Sequence, residues 1–275
     1  MTAGVLVGSL EGMESPGLAM VEAVPSAALR PYVTRLCAYR EHYAAPVTRS
    51  EMAMPGAVLI LAFGNAMEAG GRRVTAFGGG LGDRFTVTRT AGPTEGVEVF
   101  LTPFGARRLY GLPMRQLRNQ VVPVGDLLGP WAELLVERLA GTPSWHARLA
   151  LADRLLCERI AAGPALGPEL PWAWARLLES GGRLGVSSLA ESLGWSHRHL
   201  VARFQDQVGL PPKTAARVIR FGRAVRRLRS GTAPAEVAAD CGFYDQAHMN
   251  REFRTLGDTT PGQIRPRPGA GIRAS

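Results

Sequence analysis

The stretch VAADCGFYDQAHMNREF, Val237–Phe253, decides how the C-terminal part of this chain is read, because LAESLGWSHRHLVARF, Leu189–Phe204, repeats it. Ala190 and Gly194 recur as Ala238 and Gly242 at an offset of 48. Ser196, His199, Leu200 and Phe204 recur as Asp245, His248, Met249 and Phe253 at an offset of 49, so one residue is inserted in the second turn. Each copy carries the chemistry of two short helices joined by a tight turn. The small Ala allows a second helix to cross closely. The Gly suits the left-handed position that closes the first helix. An aromatic residue follows, Trp195 or Phe243, and Ser196 or Asp245 can cap the next helix. Leu200 with Phe204, and Met249 with Phe253, stand at i and i+4 and face inward. The remaining face is polar. Two copies with matched caps predict a pair of helix-turn-helix units.

Between the copies, Gly209 ends one helix, and Pro211 and Pro212 suit the first turn of the next. Val218, Phe221, Val225 and Leu228 form an apolar stripe at helical spacing. Arg217, Arg220, Arg223, Arg226, Arg227 and Arg229 occupy much of the rest. A long helix over Leu210–Ser230 is predicted, holding the two units at a fixed separation. Its arginines are expected to be solvated, with one or two reaching phosphate. Successive major grooves of DNA lie roughly 34 Å apart.

The charge distribution points the same way. The chain of 275 residues has a net charge of +9 and a pI near 10.4. Residues 1–170 hold 16 basic and 15 acidic side chains, whereas residues 171–275 hold 16 and 8. All but Lys213 of the basic residues are Arg. Compositional bias accounts for that choice of Arg but not for the thinning of acids at one end. A basic module beside a near-neutral one is the footprint of polyanion binding.

Residues about 172–266 resemble the DNA-binding domain of the AraC/XylS family of transcription regulators. The resemblance rests on Val237-Ala238, Gly242-Phe243, Gln246, His248-Met249, Arg251 and Phe253, followed by Thr260-Pro261. Leu189-Ala190, Leu193-Gly194-Trp195-Ser196, Leu200 and Phe204 fit the first half of the same pattern. It implies an N-terminal sensing or dimerising domain, often a cupin-like barrel, and contact with RNA polymerase. The Pro103-Phe104-Gly105-Ala106 stretch also resembles N-terminal domains of actinobacterial regulators in this family. Base edges are then expected on the exposed face of each second helix. Arg198, Val201 and Ala202 serve the first unit; Gln246, Ala247, Asn250 and Arg251 serve the second. Arg suits guanine, Gln and Asn suit adenine, and Val201 and Ala202 offer only apolar contact, as to a thymine methyl. Candidate phosphate contacts are Ser187, Ser188, Ser196, Arg203, Lys213, Arg254 and Thr260. His199 and His248 occupy one repeat position and are expected to support the turn rather than bind metal.

The rest of the chain reads differently. Residues 1–24 show no sustained period and are expected to be a flexible lead-in; 267–275 are expected to be a tail. Tyr32–Tyr43, Val58–Ala62, Arg73–Phe77, Phe85–Thr90 and Val97–Thr102 are strand-like. Gly64-Asn65, Gly78-Gly79-Gly80, Gly82-Asp83 and Gly92-Pro93 punctuate them as turns, suggesting a small barrel or sandwich. Pro103–Tyr110 is predicted to be a short helix closed by Gly111. Val124–Leu139 and Ser144–Ala162 are predicted amphipathic helices, the first with Leu127, Leu134, Leu135 and Leu139 on one stripe, the second with Leu149, Leu156 and Ile160. The fold class is therefore α+β: a β-rich domain over 25–165, with helices at about 124–162, then an all-α domain over 170–266 with two helix-turn-helix units joined by a long helix. A boundary is expected near 163–170.

Several functions are disfavoured. With 46% hydrophobic and 20% charged residues the composition is globular, not disordered. The longest apolar run falls far short of the ~20 residues a bilayer crossing needs, and the N-terminus lacks a basic leader. Three scattered cysteines suggest a reducing cytoplasm. No Gly-x-Ser-x-Gly elbow, phosphate-binding loop, His-Glu-x-x-His or Cys-x-x-Cys motif is present, so no catalytic residue, metal or cofactor is assigned. His42 and His146 alone do not make a metal site, and Cys37 reads as a buried thiol. An enzyme domain of DNA-repair or amidase type fused to a DNA-binding module is the alternative, and a ligand-independent architectural factor a third. The expected partners are double-stranded DNA, a small effector and a second copy of the chain, with no membrane. Tyr32, Tyr39, Tyr43, Phe63 and Phe85 are candidates to line an effector cavity, although core packing suits each of them better.

Overall fold

The computed structural model describes residues 18–264. The N-terminal half is built on one antiparallel sheet with the order β1-β2-β7-β3-β6-β8. Its strands are β1 Leu18–Ala23, β2 Val33–Glu51, β3 Ala57–Gly64, β6 Phe77–Gly78, β7 Thr86–Leu101 and β8 Val122–Pro123. A small flap of β4 (Met67–Ala69) and β5 (Arg72–Val74) hangs from β7. The expected lead-in is thus ordered in part, since Leu18–Ala23 pairs along Leu36–Glu41 of β2. Residues 1–17 and the expected tail at 267–275 lie outside the described residues.

The centre of the sheet is a long hairpin-like pair, β2 and β7, in register from Val33↔Leu101 to Glu51↔Thr86. Phe85–Thr90 and Val97–Thr102 were expected as two strands with a turn at Gly92-Pro93. They form one strand instead. The register shifts between Tyr43 and Val47, just beyond the pairs His42↔Pro93 and Tyr43↔Gly92, and Gly92 has φ +71°. Pro93 is tolerated beside this irregularity, where the ladder to β3 has also ended, at Gly64↔Thr94. The expected strand Arg73–Phe77 is split between β5 and β6.

Alternation gives the sheet two different faces. Leu36, Ala38, Leu59, Leu61, Val97, Val99 and Leu101 are buried on one face within the main core. Helices α1 (Pro103–Tyr110), α3 (Pro130–Ala140) and α4 (Trp145–Ala161) pack on this side of the fold. Thr102 caps α1 through the Gly105 N–H and Gly111 closes it in the left-handed region, as the sequence predicts. The expected helix Val124–Leu139 breaks at Gly129-Pro130 into α2 (Val124–Leu128) and α3. The break resets the helical phase, so Leu134 is 58% exposed while Leu135 and Leu139 are buried. Arg148 of α4 is itself buried; its Nε donates to Leu139 O at 2.9 Å and its guanidinium meets Glu95 of β7. The other face carries Cys37, Tyr39, Glu41, Ile60 and Glu98 and looks toward β4–β6.

Residues 163–168 separate α4 from the C-terminal helices. These are α5 Glu169–Glu179, α6 Val186–Ser192, α7 His197–Gln207, α8 Pro212–Arg229, α9 Pro234–Asp240 and α10 Gln246–Gly257. The main buried cluster continues from the sheet through these helices without interruption.

Candidate nucleic-acid interface

The repeat in the sequence is a repeat in atoms. α6 ends at Leu193, Gly194 has φ +65°, and the Trp195 N–H donates back to Ala190 O at 2.9 Å. α9 ends at Cys241, Gly242 has φ +74°, and the Phe243 N–H donates back to Ala238 O at 3.0 Å. This is the six-to-one bond of a Schellman closure, which needs the left-handed glycine. The caps match too: the His199 N–H donates to Ser196 Oγ at 3.2 Å and the His248 N–H to Asp245 Oδ1 at 2.6 Å. Leu200, Phe204, Met249 and Phe253 are fully buried. His199 stands edge-on to Trp195 at 4.6 Å and His248 edge-on to Phe243 at 5.7 Å. Both histidines therefore brace the turn aromatic.

The faces of α7 and α10 turned away from this packing hold the expected base readers. Arg198, Ala202, Gln246, Ala247 and Arg251 are exposed; Val201 and Asn250 are half-buried. Of the expected phosphate contacts, Ser187, Ser188, Ser196, Arg203, Lys213 and Arg254 are exposed and Thr260 is half-buried. Ser187 and Ser188 sit in the first turn of α6. The Thr260 hydroxyl is engaged in a capping box with Gln263. Arg198, Arg203, Lys213, Arg251 and Arg254 have no ion-pair partner among the described residues.

The arginines of α8 behave differently from the solvated face expected of them. Arg217 donates to both carboxylate oxygens of Glu252 on α10, at 3.0 and 3.3 Å. Arg220 donates to Gly182 O and lies over the Phe243 ring. Arg227 pairs with Glu236 and Asp240 of α9. The apolar stripe of α8, including Val218, Phe221, Val225 and Leu228, is buried as predicted. α8 is thus a strut, with Arg217, Arg220 and Arg227 holding the second helix pair. Sequence periodicity could not show this, since partners 9 to 38 residues away supply the acceptors.

One exposed residue of the second unit has no counterpart in the first. Tyr244 is 92% exposed at the tip of the second turn, where its own N–H donates to His248 Nδ1. It is the residue inserted between the two copies.

The N-terminal half touches both helix pairs. The Ala53 N–H, just after β2, donates to Leu256 O of α10 at 2.7 Å, and Ser50 Oγ to Asp258 at 2.7 Å. Arg115, in a 3₁₀ turn at Met114–Leu117, pairs with Asp206 of α7 at 2.6 Å. Between these two attachment points the second sheet face opens as a cleft. Its cavity measures about 170 Å³, and its walls include Met52–Met54 and Asn119–Val121. Of the five aromatic candidates, Tyr39 lines it; Tyr32, Tyr43, Phe63 and Phe85 do not. Cys37 and Cys241 are buried free thiols. Among the described residues, no helix is long and apolar enough to cross a membrane.

Residues 189–267 match the family model described as a helix-turn-helix domain, and residues 21–123 match a domain of unknown function, DUF6597. The chain is 38% identical over 64 residues to the uncharacterized HTH-type transcriptional regulator YbfI of Bacillus subtilis, covering 23% of each chain. It is 30% identical over 131 residues to the HTH-type transcriptional regulator GlxA of Rhizobium meliloti, covering 46% of this chain and 40% of that protein. The chain thus spans less than half the length of these relatives. The crystal structure of ToxT from Vibrio cholerae is similar over 90% of this chain and 97% of that one, at 8% identity and a TM-score of 0.47. By residues 189–267 the chain carries a helix-turn-helix domain and is similar over that region to HTH-type transcriptional regulators.

Proposed function

We propose that this chain is a sequence-specific DNA-binding transcription regulator that lays α7 and α10 in successive major grooves. The observation that carries this reading is the pair of exposed helix faces bearing cations without intramolecular partners, in a region where other arginines are paired. A cation already bound to a carboxylate gives up that bond to meet a phosphate; a free one does not. Arg198, Val201 and Ala202 then read one half-site, and Gln246, Ala247, Asn250 and Arg251 the other. Arg203, Lys213, Arg254 and the helix-start serines position the module on phosphate. Thr260 contributes through the cap it maintains. The N-terminal half acts as a sensing or dimerising element coupled through the Ala53–Leu256 and Arg115–Asp206 contacts, and RNA polymerase is the further partner on DNA. Control of this kind requires an effector that binds one arrangement better than another.

Genome-wide footprinting with the full chain tests the reading. A defined operator should emerge with two half-sites about one helical turn apart. Binding that is uniform over all sequences would leave only a non-specific polyanion binder, and turnover of a substrate by the N-terminal half would favour an enzyme fused to a DNA-binding module.

A further inference from the structure

The cleft on the second sheet face holds an unusual set of groups. Tyr39 and Glu41 of β2, Ile60 of β3 and Glu98 of β7 line its floor, and Phe77 and Met67 add apolar surface. Glu41 and Glu98 are each 3% exposed. Glu41 is neutralised by Arg49 at 3.1 Å, and Arg49 also meets the Tyr43 hydroxyl. Glu51 accepts from the Thr88 hydroxyl at 3.0 Å. Glu98 has much less: one oxygen accepts from the Cys37 thiol at 3.6 Å, a weak donor, and its other oxygen accepts nothing among the described residues. Arg35, the cation nearest to it along β2, is directed to Glu22 at 3.2 Å and Met20 Sδ at 3.0 Å. The Tyr39 hydroxyl, in a residue 3% exposed, likewise makes no hydrogen bond among the described residues. A buried carboxylate without N–H donors is costly unless it is protonated or meets a cation.

We propose that the cleft binds a monocationic organic amine whose ammonium group sits between the Glu98 carboxylate and the Tyr39 hydroxyl, with its apolar body against Ile60, Met67 and Phe77. Once Glu98 gives up its proton, both groups can accept from the ammonium N–H bonds. At about 170 Å³ the cavity takes only a compact ligand. A ligand carboxylate is disfavoured: it would face Glu41, Glu51 and Glu98, with the interior Arg49 already paired and Arg84 exposed. Burial holds the free Glu98 carboxyl largely protonated, with Arg35 opposing and Glu51 and Glu41 reinforcing that tendency. Tyr39 and Cys37 are neutral neighbours, their pKa values also pushed up by burial. Amine binding at neutral pH therefore expels the Glu98 proton. The ligand reaches the helix pairs through Met52–Met54, which form both a cleft wall and the strand exit bonded to α10. This step deepens the sensing role given to the N-terminal half and rests on it.

The test uses the full chain without DNA, titrated calorimetrically with apolar monoamines of graded size, each matched to the alcohol and the carboxylate of the same body. At least one amine should bind below about 1 mM and more tightly than its alcohol and acid. Its affinity should drop about tenfold or more in Glu98→Gln. Titrations in buffers of differing ionisation enthalpy should show close to one proton released by the wild type and none by Glu98→Gln. A cooperative thermal melt of Glu98→Gln guards against a variant that merely misfolds. Preference for the carboxylate or the alcohol, no amine binding, or equal binding by Glu98→Gln overturns the proposal. Operator binding measured separately keeps it distinct from the regulatory reading: amine binding without any operator defeats only the latter.

Discussion

Replacing Arg203, Lys213 and Arg254 together by Ala should remove phosphate anchors without disturbing the fold, because none of the three has an ion-pair partner among the described residues and all are exposed. Each phosphate contact contributes about 0.9 to the slope of log affinity against log salt. Losing three lowers the slope by roughly 2.7, and the affinity at about 0.1 M salt by a factor on the order of 500, an effect that fades toward 1 M. Arg217→Ala is the control. Its guanidinium is held by Glu252, so the slope should stay unchanged while stability falls by about 1 kcal/mol as α8 loses its grip on α10. Fluorescence anisotropy on a labelled operator across about 50–300 mM salt supplies the slopes, and thermal melting supplies the stability. If the triple variant keeps the wild-type slope, or if Arg217→Ala loses as much slope as one exposed cation, the sorting of cations by intramolecular partner is wrong.

Arg251→Ala should cost about 1–3 kcal/mol on the preferred operator and relax a single base position; a uniform loss over all operator variants would remove it from the base-reading set. Asp245→Ala should destabilise by about 1 kcal/mol through the lost cap at the His248 N–H, whereas Asp245→Asn keeps the cap, removes a negative charge beside DNA and should bind more tightly. Equal melting temperatures for those two variants would argue against the cap. Tyr244→Ala should leave stability within about 0.5 kcal/mol and weaken operator binding; unchanged binding in gel shift would make the inserted turn residue a bystander. The Glu98 carboxyl is raised from 4.5 to about 8 by burial, so the folded chain keeps a proton that the unfolded chain releases. Stability conferred at low pH is therefore lost as pH rises through this window, by up to about 1.4 kcal/mol per unit. Urea melts at pH 5 and pH 8 should show the wild type losing more than Glu98→Gln; parallel losses would refute that assignment.

The C-terminal helix pairs were legible because what makes them is local. A left-handed Gly, a capping Ser or Asp and an i, i+4 apolar pair all act within one or two turns, so Leu189–Phe204 and Val237–Phe253 state their conformation in their own residues. The same holds for α1, bounded by Thr102 and Gly111. The polar faces of α7 and α10 followed from these, since fixing which residues are buried fixes which are not.

What depended on distant partners was not legible. Gly92-Pro93 carries the composition of a turn, yet pairing with His42 and Tyr43 of β2 keeps it inside a strand. The arginines of α8 look like a solvated face until Glu252, Gly182 and the α9 carboxylates are brought to them. Cys37 and Glu98 stand 61 residues apart, and only the β2–β7 register sets them side by side, Glu98 on the cleft floor. Helix caps and turns are written into adjacent residues. Strand register, ion pairing and cavities arise from chain segments that meet only after folding. The sequence by itself therefore determined the helix pairs and their cationic character, while the tertiary structure decided which cations stay free and what the N-terminal half can hold.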